Sequence, residues 1–126
     1  MGFRCPVCGD PQGLQIAASL ELPGDAQMDE ISLQAVRCAA CGFCGSAVYA
    51  ESRRGALDDE SWRHQGYGMA PEEFAWLQRS LLSCPNSVQR DCRCAAHRRF
   101  ARQDTSGRWA GLSGLSLGLQ FEVEHI

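Results

Sequence analysis

The sequence predicts a small α+β fold of about three antiparallel strands and one main helix, stapled together through its cysteines. Three observations predict it. Eight cysteines stand in 126 residues, and they fall into two groups. Short apolar–polar stretches recur between residues 14 and 52. One segment after residue 70 carries a clear helical period. A chain of this length normally forms one domain. Its 13 glycines and 5 prolines point to a loop-rich fold that leans on cross-links.

In chain order, "LQIAASLEL" (14–22) reads as a strand, "PGDAQMDE" (23–30) as a turn and "ISLQAVRC" (31–38) as a second strand. In the latter, Ile31, Leu33 and Ala35 alternate with Ser32 and Gln34, the pattern of a half-buried strand. "CGSAVYAES" (44–52) makes a third. "RRGALDDESWRHQGYG" (53–68) is polar and punctuated by glycine, so it reads as a long loop, or as a loop with a short helix at 57–63. Its Arg53, Arg54, Trp62, His64, Tyr67 and Met69 have the mixed character of a binding surface, while Trp62 and Tyr67 fit better as packing between strands and helix.

The helix is "APEEFAWLQRSLLSC" (70–84). Pro71 suits its first position, Glu72 and Glu73 suit the positive end of the helix dipole, and Phe74, Leu77 and Leu81 share one face. Cys84-Pro85 ends it, because proline disfavours helical geometry in the residue before it. "AAHRRFARQ" (95–103) reads as a short helical turn. The closing "LQFEVEHI" reads as a strand with Phe121 and Val123 inward and Glu122 and Glu124 in water.

The opening "MGFRCPVCGD" lacks a charged region followed by an apolar stretch, so no signal peptide is expected. Pro6 breaks the myristoylation pattern. No run approaches the roughly 18 apolar residues of a membrane span. These features predict a reduced, cytoplasmic chain whose thiols bind metal rather than form disulfides. Formal charge is −3. One cation against five acids in residues 1–34 contrasts with six arginines against two acids in 84–108. Every basic residue is Arg, a usage that reads as the mark of a GC-rich bacterial genome.

Cys5, Cys8, Cys38 and Cys41 form C-x2-C…C-x2-C, with 29 residues between the pairs. A two-residue spacer lets two thiolates converge on one ion, and Gly9 and Gly42 supply the positive φ such a turn wants. Four thiolates suit tetrahedral zinc. "CPVCGD" and "CAACGF" resemble the two knuckles of a zinc ribbon over residues 4 to about 50, a likeness that implies fold and metal and leaves function open. Cys44 extends the second knuckle to C-x2-C-x2-C, as in an iron–sulfur run, but that reading strands the first knuckle without partners.

Cys84, Cys92, Cys94 and His97 give C-x7-C-x-C-x2-H, a candidate second zinc site. Eight cysteines and one histidine make nine candidate ligands for two tetrahedral ions. The one left over is Cys44, which otherwise replaces His97. A three-Cys, one-His shell is closed and a poor Lewis acid. The zinc deaminase signature fails as well, since "AAHRRF" lacks its Glu and "CPVCGD" places proline after the cysteine.

Two Zn2+ per chain are therefore expected, in a ribbon over 1–52 and a helix with the second site over 53–126, or in one domain of 1–126. The expected role is a binding or adaptor module rather than an enzyme, without membrane contact. Arg90, Arg93, Arg98, Arg99 and Arg102 interleave with the second cluster. They could clamp phosphates of a nucleic acid, face an acidic protein surface, or form a solvated loop face; the sequence leaves these open. The rival class is a thiol-dependent enzyme, or a redox or metal-sensing switch, using Cys44 with His64 or a labile cluster thiol.

Overall fold

A computed structural model describes residues 2–52 and 61–124. Among them are five strands and two helices: β1 (Leu14–Leu22), β2 (Glu30–Cys38), β3 (Cys44–Ser52), β4 (Ser61–Gly68), α1 (Pro71–Leu82), α2 (Ala95–Phe100) and β5 (Gln120–Glu122). The strands form one antiparallel sheet in the order β1-β2-β3-β4-β5. Short connections make β1, β2 and β3 antiparallel neighbours, since only such strands can be joined by tight turns, whereas β5 returns beside β4 after both helices. The β1–β2 turn is organised by Asp25, whose Oδ1 accepts the N–H groups of Gln27 and Met28 at 2.8 and 2.7 Å.

Both helices lie over one face of the sheet, α1 against β1, β2 and β3 and α2 against β1. The main core is there. Leu20, Leu22, Ile31 and Leu33 of the sheet meet Phe74, Leu77 and Leu81 of α1 and Phe100 of α2. A register irregularity between Ile16 and Ala18 lets β1 serve two faces. Before it, Leu14 joins Cys5, Val36, Cys38 and Val123 in a smaller cluster; after it, Ala18, Leu20 and Leu22 join the main core. A bulge has this effect because side-chain direction alternates along a strand, so one extra residue reverses it.

Three expectations need correction. The segment 53–68 is not simply loop: residues 61–68 are β4, so the end of the helix expected at 57–63 is strand, and residues 53–60 lie outside the described residues. The glycines that suggested a loop have another reason. Gly66 faces Phe121 of β5, whose ring occupies the space a Cβ would need. Strand β2 is buried on both faces rather than one, because Phe3, Tyr49 and His64 cover the side away from the helices; Ser32 and Gln34 are buried with them. Trp62 does not lie between strands and helix. It is 55% exposed and stacks on Tyr49 with ring centroids 6.1 Å apart. Tyr67 does pack against the helix-side core.

The helix reading holds closely, with Pro71 in the first turn, Glu72 and Glu73 behind it and Phe74, Leu77 and Leu81 buried. Val123 is buried as expected. No helix among the described residues is long and apolar enough to cross a membrane.

Candidate metal centres

Each knuckle of the first cluster is the same turn. Gly9 N–H donates to the Cys5 carbonyl and Gly42 N–H to the Cys38 carbonyl, both at 3.0 Å. Gly9 and Gly42 take φ of 77° and 81°, the left-handed region that glycine enters without a Cβ penalty. Amides also point at the first sulfur of each knuckle, Val7 N–H at Cys5 Sγ (3.4 Å) and Cys41 N–H, one position further along its turn, at Cys38 Sγ (3.5 Å). Such donors stabilise thiolate over thiol.

The four sulfurs lie within 4.8 Å of one another. Cys5 to Cys41 and Cys8 to Cys38 are each 3.7 Å. A tetrahedral ion with metal–sulfur bonds of about 2.3 Å requires sulfur–sulfur edges of about 3.8 Å, so the cluster has the dimensions of a zinc shell. Cys5 and Cys38 are buried and Cys8 and Cys41 exposed. Burial opposes ionisation of Cys5, but the amides of Cys8 and Val7 and the neighbouring thiols outweigh it and hold its pKa at about 7. At Cys8 the Asp10 amide favours the thiolate, yet burial and the other three thiols together push its pKa up to about 12. Four thiols so close cannot all ionise without a cation among them.

The second cluster is built from unlike parts. The turn after α1 brings Cys84, with Asn86 N–H on its sulfur at 3.4 Å. Cys94 caps α2, its sulfur accepting His97 N–H at 3.4 Å. Cys84 and Cys92 sulfurs are 3.8 Å apart, and His97 Nδ1 is 3.3 Å from the sulfurs of both Cys84 and Cys94. The expected nitrogen–sulfur edge around zinc is about 3.5 Å. The other ring nitrogen of His97, Nε2, lies 2.8 Å from the carbonyl oxygen of Glu21 in β1. A carbonyl only accepts, so Nε2 carries the proton and Nδ1 presents its lone pair to the cluster. The imidazole itself is 2% exposed. Burial opposes ionisation of Cys94 too, but the His97 amide, its ring and the other two thiols bring the pKa down to about 6, whereas Cys84 is raised to about 11, chiefly by burial.

Cys44 lies in neither group. It is buried in the main core, its thiol 3.6 Å from the Met69 carbonyl, and burial pushes its pKa up. His64 lies on the opposite face of the sheet, since Tyr49, its partner in register, is five residues from Cys44 along β3. His64 Nε2 is 2.6 Å from Gln34 Oε1. Cys44 and His64 therefore do not meet as nucleophile and base.

The arginines divide. Arg90 pairs with Glu30 (3.3 Å) and Glu21 (3.8 Å). Arg99 donates to the carbonyls of Gly111 and Ser113 and lies over the rings of Phe100 and Trp76. Arg102 donates to the Ser113 carbonyl. Arg93 and Arg98 are exposed and form no ion pair among the described residues. Sequence reasoning missed the Glu21 carbonyl, and a backbone acceptor leaves no residue-type signal. It also missed the turn-forming Asp25, which the "PGD" start of its segment could have flagged.

Comparison with protein-family models, with curated proteins and with solved structures gave no match. Both clusters are compatible with zinc-binding knuckles on their geometry alone.

Proposed function

We propose that this chain is a small binding module held in shape by two structural zinc ions. Cys5, Cys8, Cys38 and Cys41 hold one; Cys84, Cys92, Cys94 and His97 hold the other. The observation that carries the reading is the orientation of His97, whose Nε2 is tied to the Glu21 carbonyl while Nδ1 faces Cys84 and Cys94. Metal-bound histidines are typically oriented in this way by an acceptor on the far nitrogen.

Four protein donors complete each shell and leave no open position, so the ions serve folding rather than hydrolysis. The first joins the N-terminal turn to the β2–β3 turn. The second joins the end of α1 to α2 and, through His97, to β1. The partner we favour is a protein. Three of the five arginines around the second cluster are engaged within the chain, which leaves few cations for a phosphate backbone. Leu82 and Val88, on either side of Cys84, are 64% and 76% exposed and suit the apolar centre of a protein interface.

Native mass spectrometry tests the metal reading. Two zinc ions per chain are expected, one after Cys8→Ser or His97→Ala, and two still after Cys44→Ser. Iron, or a single zinc in the unaltered chain, overturns it. Salt-dependent binding to RNA or DNA that disappears in an Arg93→Glu, Arg98→Glu double variant would replace the protein partner with a nucleic acid.

A further inference from the structure

Strand β4 carries three polar side chains on the face of the sheet that the helices cover elsewhere. Arg63, Gln65 and Tyr67 stand opposite Ala50, Val48 and Ser46 of β3. Apolar residues would seal a core at such positions. The helices pack chiefly on β1, β2 and β3, and of this row Tyr67 borders their core. The chain between Arg108 and Leu117 lies over the row and forms one wall of a half-open cavity of about 470 Å3. That volume falls within the range of about 300–1,000 Å3 that takes drug-sized molecules.

The cavity has an apolar floor of Ile31, Val48, Ala50 and Leu112, with the rings of Tyr67 and Trp109 in its wall. Trp109 is fixed there, its Nε1–H donating to the Phe100 carbonyl at 2.6 Å and its backbone N–H to Asp25 Oδ2 at 2.7 Å. Arg63 and Arg108 are both exposed residues of the lining, and neither guanidinium has an ion pair or hydrogen bond among the described residues. The side chains of Gln65 and Tyr67 have no hydrogen-bond partner there either. Asp25 is the one carboxylate among the described lining residues. Its oxygens already accept the amides of Gln27, Met28 and Trp109, and the charge of Arg108 also favours its carboxylate form. Among the described lining residues two cations stand against one carboxylate, and Arg63 forms no ion pair there.

We propose that this cavity binds a small organic acid: a monoanion with a planar, apolar body. The body lies on the aliphatic floor between Tyr67 and Trp109. The acid group pairs with Arg63, whose planar fork matches an acid group with two oxygens, and Arg108 adds a second positive charge. Gln65 and the Tyr67 hydroxyl supply the hydrogen bonds that orient it. This role is separate from the metal centres, which hold the surrounding chain in place.

A pair of dyes that share a carbon skeleton tests the proposal. The zinc-loaded full chain is titrated by fluorescence with 8-anilinonaphthalene-1-sulfonate, an anion, and with N-phenyl-1-naphthylamine, which is uncharged. The anion should bind more tightly by about tenfold or more, the worth of a charge-assisted pair. Arg63→Gln should abolish that preference and leave the uncharged dye unchanged, while Arg63→Lys should restore part of it. Arg108→Gln should have the smaller effect, because Asp25 already shares its charge. Ala110→Trp, which fills the cavity, should weaken both dyes. Equal affinity for the two dyes overturns the proposal, and so does an Arg63→Gln variant that keeps the anion preference. Zinc content of each variant separates the two readings. Two ions without anion preference sink the cavity alone, and anion preference without two ions sinks the metal assignment alone.

Discussion

Both clusters offer four donors at the spacing of a tetrahedral ion, but the chain delivers them differently. The first takes two copies of one glycine-closed turn, at the N-terminus and between β2 and β3, and sets them beside the smaller core with two of four cysteines exposed. The second takes one donor from the end of α1, one from a loop and two from the start of α2, and its histidine is buried against β1. The first site is thus nearly self-contained, and binding there closes a loop between two local motifs. The second draws its donors from residues 84 to 97 alone, and its histidine ties the finished cluster to β1. One site cross-links the fold; the other locks it.

The largest effects should follow from breaking each lock in turn. Apparent zinc affinities in structural sites are about 10–16 kcal/mol at neutral pH, comparable with the whole stability of a domain, about 5–15 kcal/mol. Loss of Cys94 releases α2, and with it Ala96 and Phe100 of the main core. Cys94→Ser should therefore abolish cooperative thermal unfolding and the near-ultraviolet signal of Trp76, whose ring lies 5.7 Å from Phe100. Cys8→Ser, at an exposed donor, should lower the melting temperature yet leave that signal in place. The reverse order would mean that the first site, not the second, holds the main core.

A narrower change isolates the link to the sheet. His97→Cys keeps a fourth donor but removes the Nε2–H bond to the partly buried Glu21 carbonyl. Two zinc ions should remain by mass spectrometry while calorimetry records a loss of about 1–3 kcal/mol. Unchanged stability would make the two sites energetically alike.

The contrast also explains what could be read from the sequence. The first cluster was legible because its geometry is local: "CPVCG" and "CAACG" each state a complete turn, spacer and glycine included. Helix α1 was legible for the same reason, with its proline, its acids and its apolar face all within 12 residues. The donors of the second cluster could be counted, but the tether from His97 to β1 spans 76 positions and ends on a carbonyl. Strand β4 was hidden because its alternation runs through Gly66 and Gly68, residues that signal a loop until Phe121 is known to lie over one of them. The arginines were visible as a cluster, whereas their engagement with Glu30, Gly111 and Ser113 depends on tertiary placement.

Acid should empty the sites in a definite order. The folded protein holds Cys5 at about 7 and Cys94 at about 6, both below an ordinary thiol value of 9.0, because amide and neighbouring-group donors outweigh burial at each. A depressed pKa contributes stability that is fully present above the unfolded value and is lost as pH falls through the folded one. In the metal-free chain that loss falls near pH 7 for Cys5 and nearer pH 6 for Cys94, and a cation held among the thiolates moves both lower. The first must also keep four thiolates free of protons and the second only three. Zinc release followed with a metallochromic chelator as the pH is lowered should come from the first site before the second, because four thiolates compete with protons there against three, with Cys8→Ser removing the earlier step. A single step, or the opposite order, would show that His97 rather than the thiols governs acid release.

The smallest effect belongs to Arg90, close in sequence to the second cluster but not part of its lock. Its guanidinium lies between Glu21 and Glu30, and all three side chains are about a third exposed. Exposed pairs of this kind contribute about 0–1 kcal/mol and are screened by salt. Arg90→Ala should therefore move the melting temperature slightly at low salt and not at all at high salt, with both zinc ions retained. Glu21 makes this small effect informative, because its carboxylate faces Arg90 while its carbonyl holds His97. If Arg90→Ala also weakened the second ion, the ion pair would be positioning β1 for the histidine. If zinc affinity is unmoved, as expected, the hold on His97 comes from the sheet backbone alone.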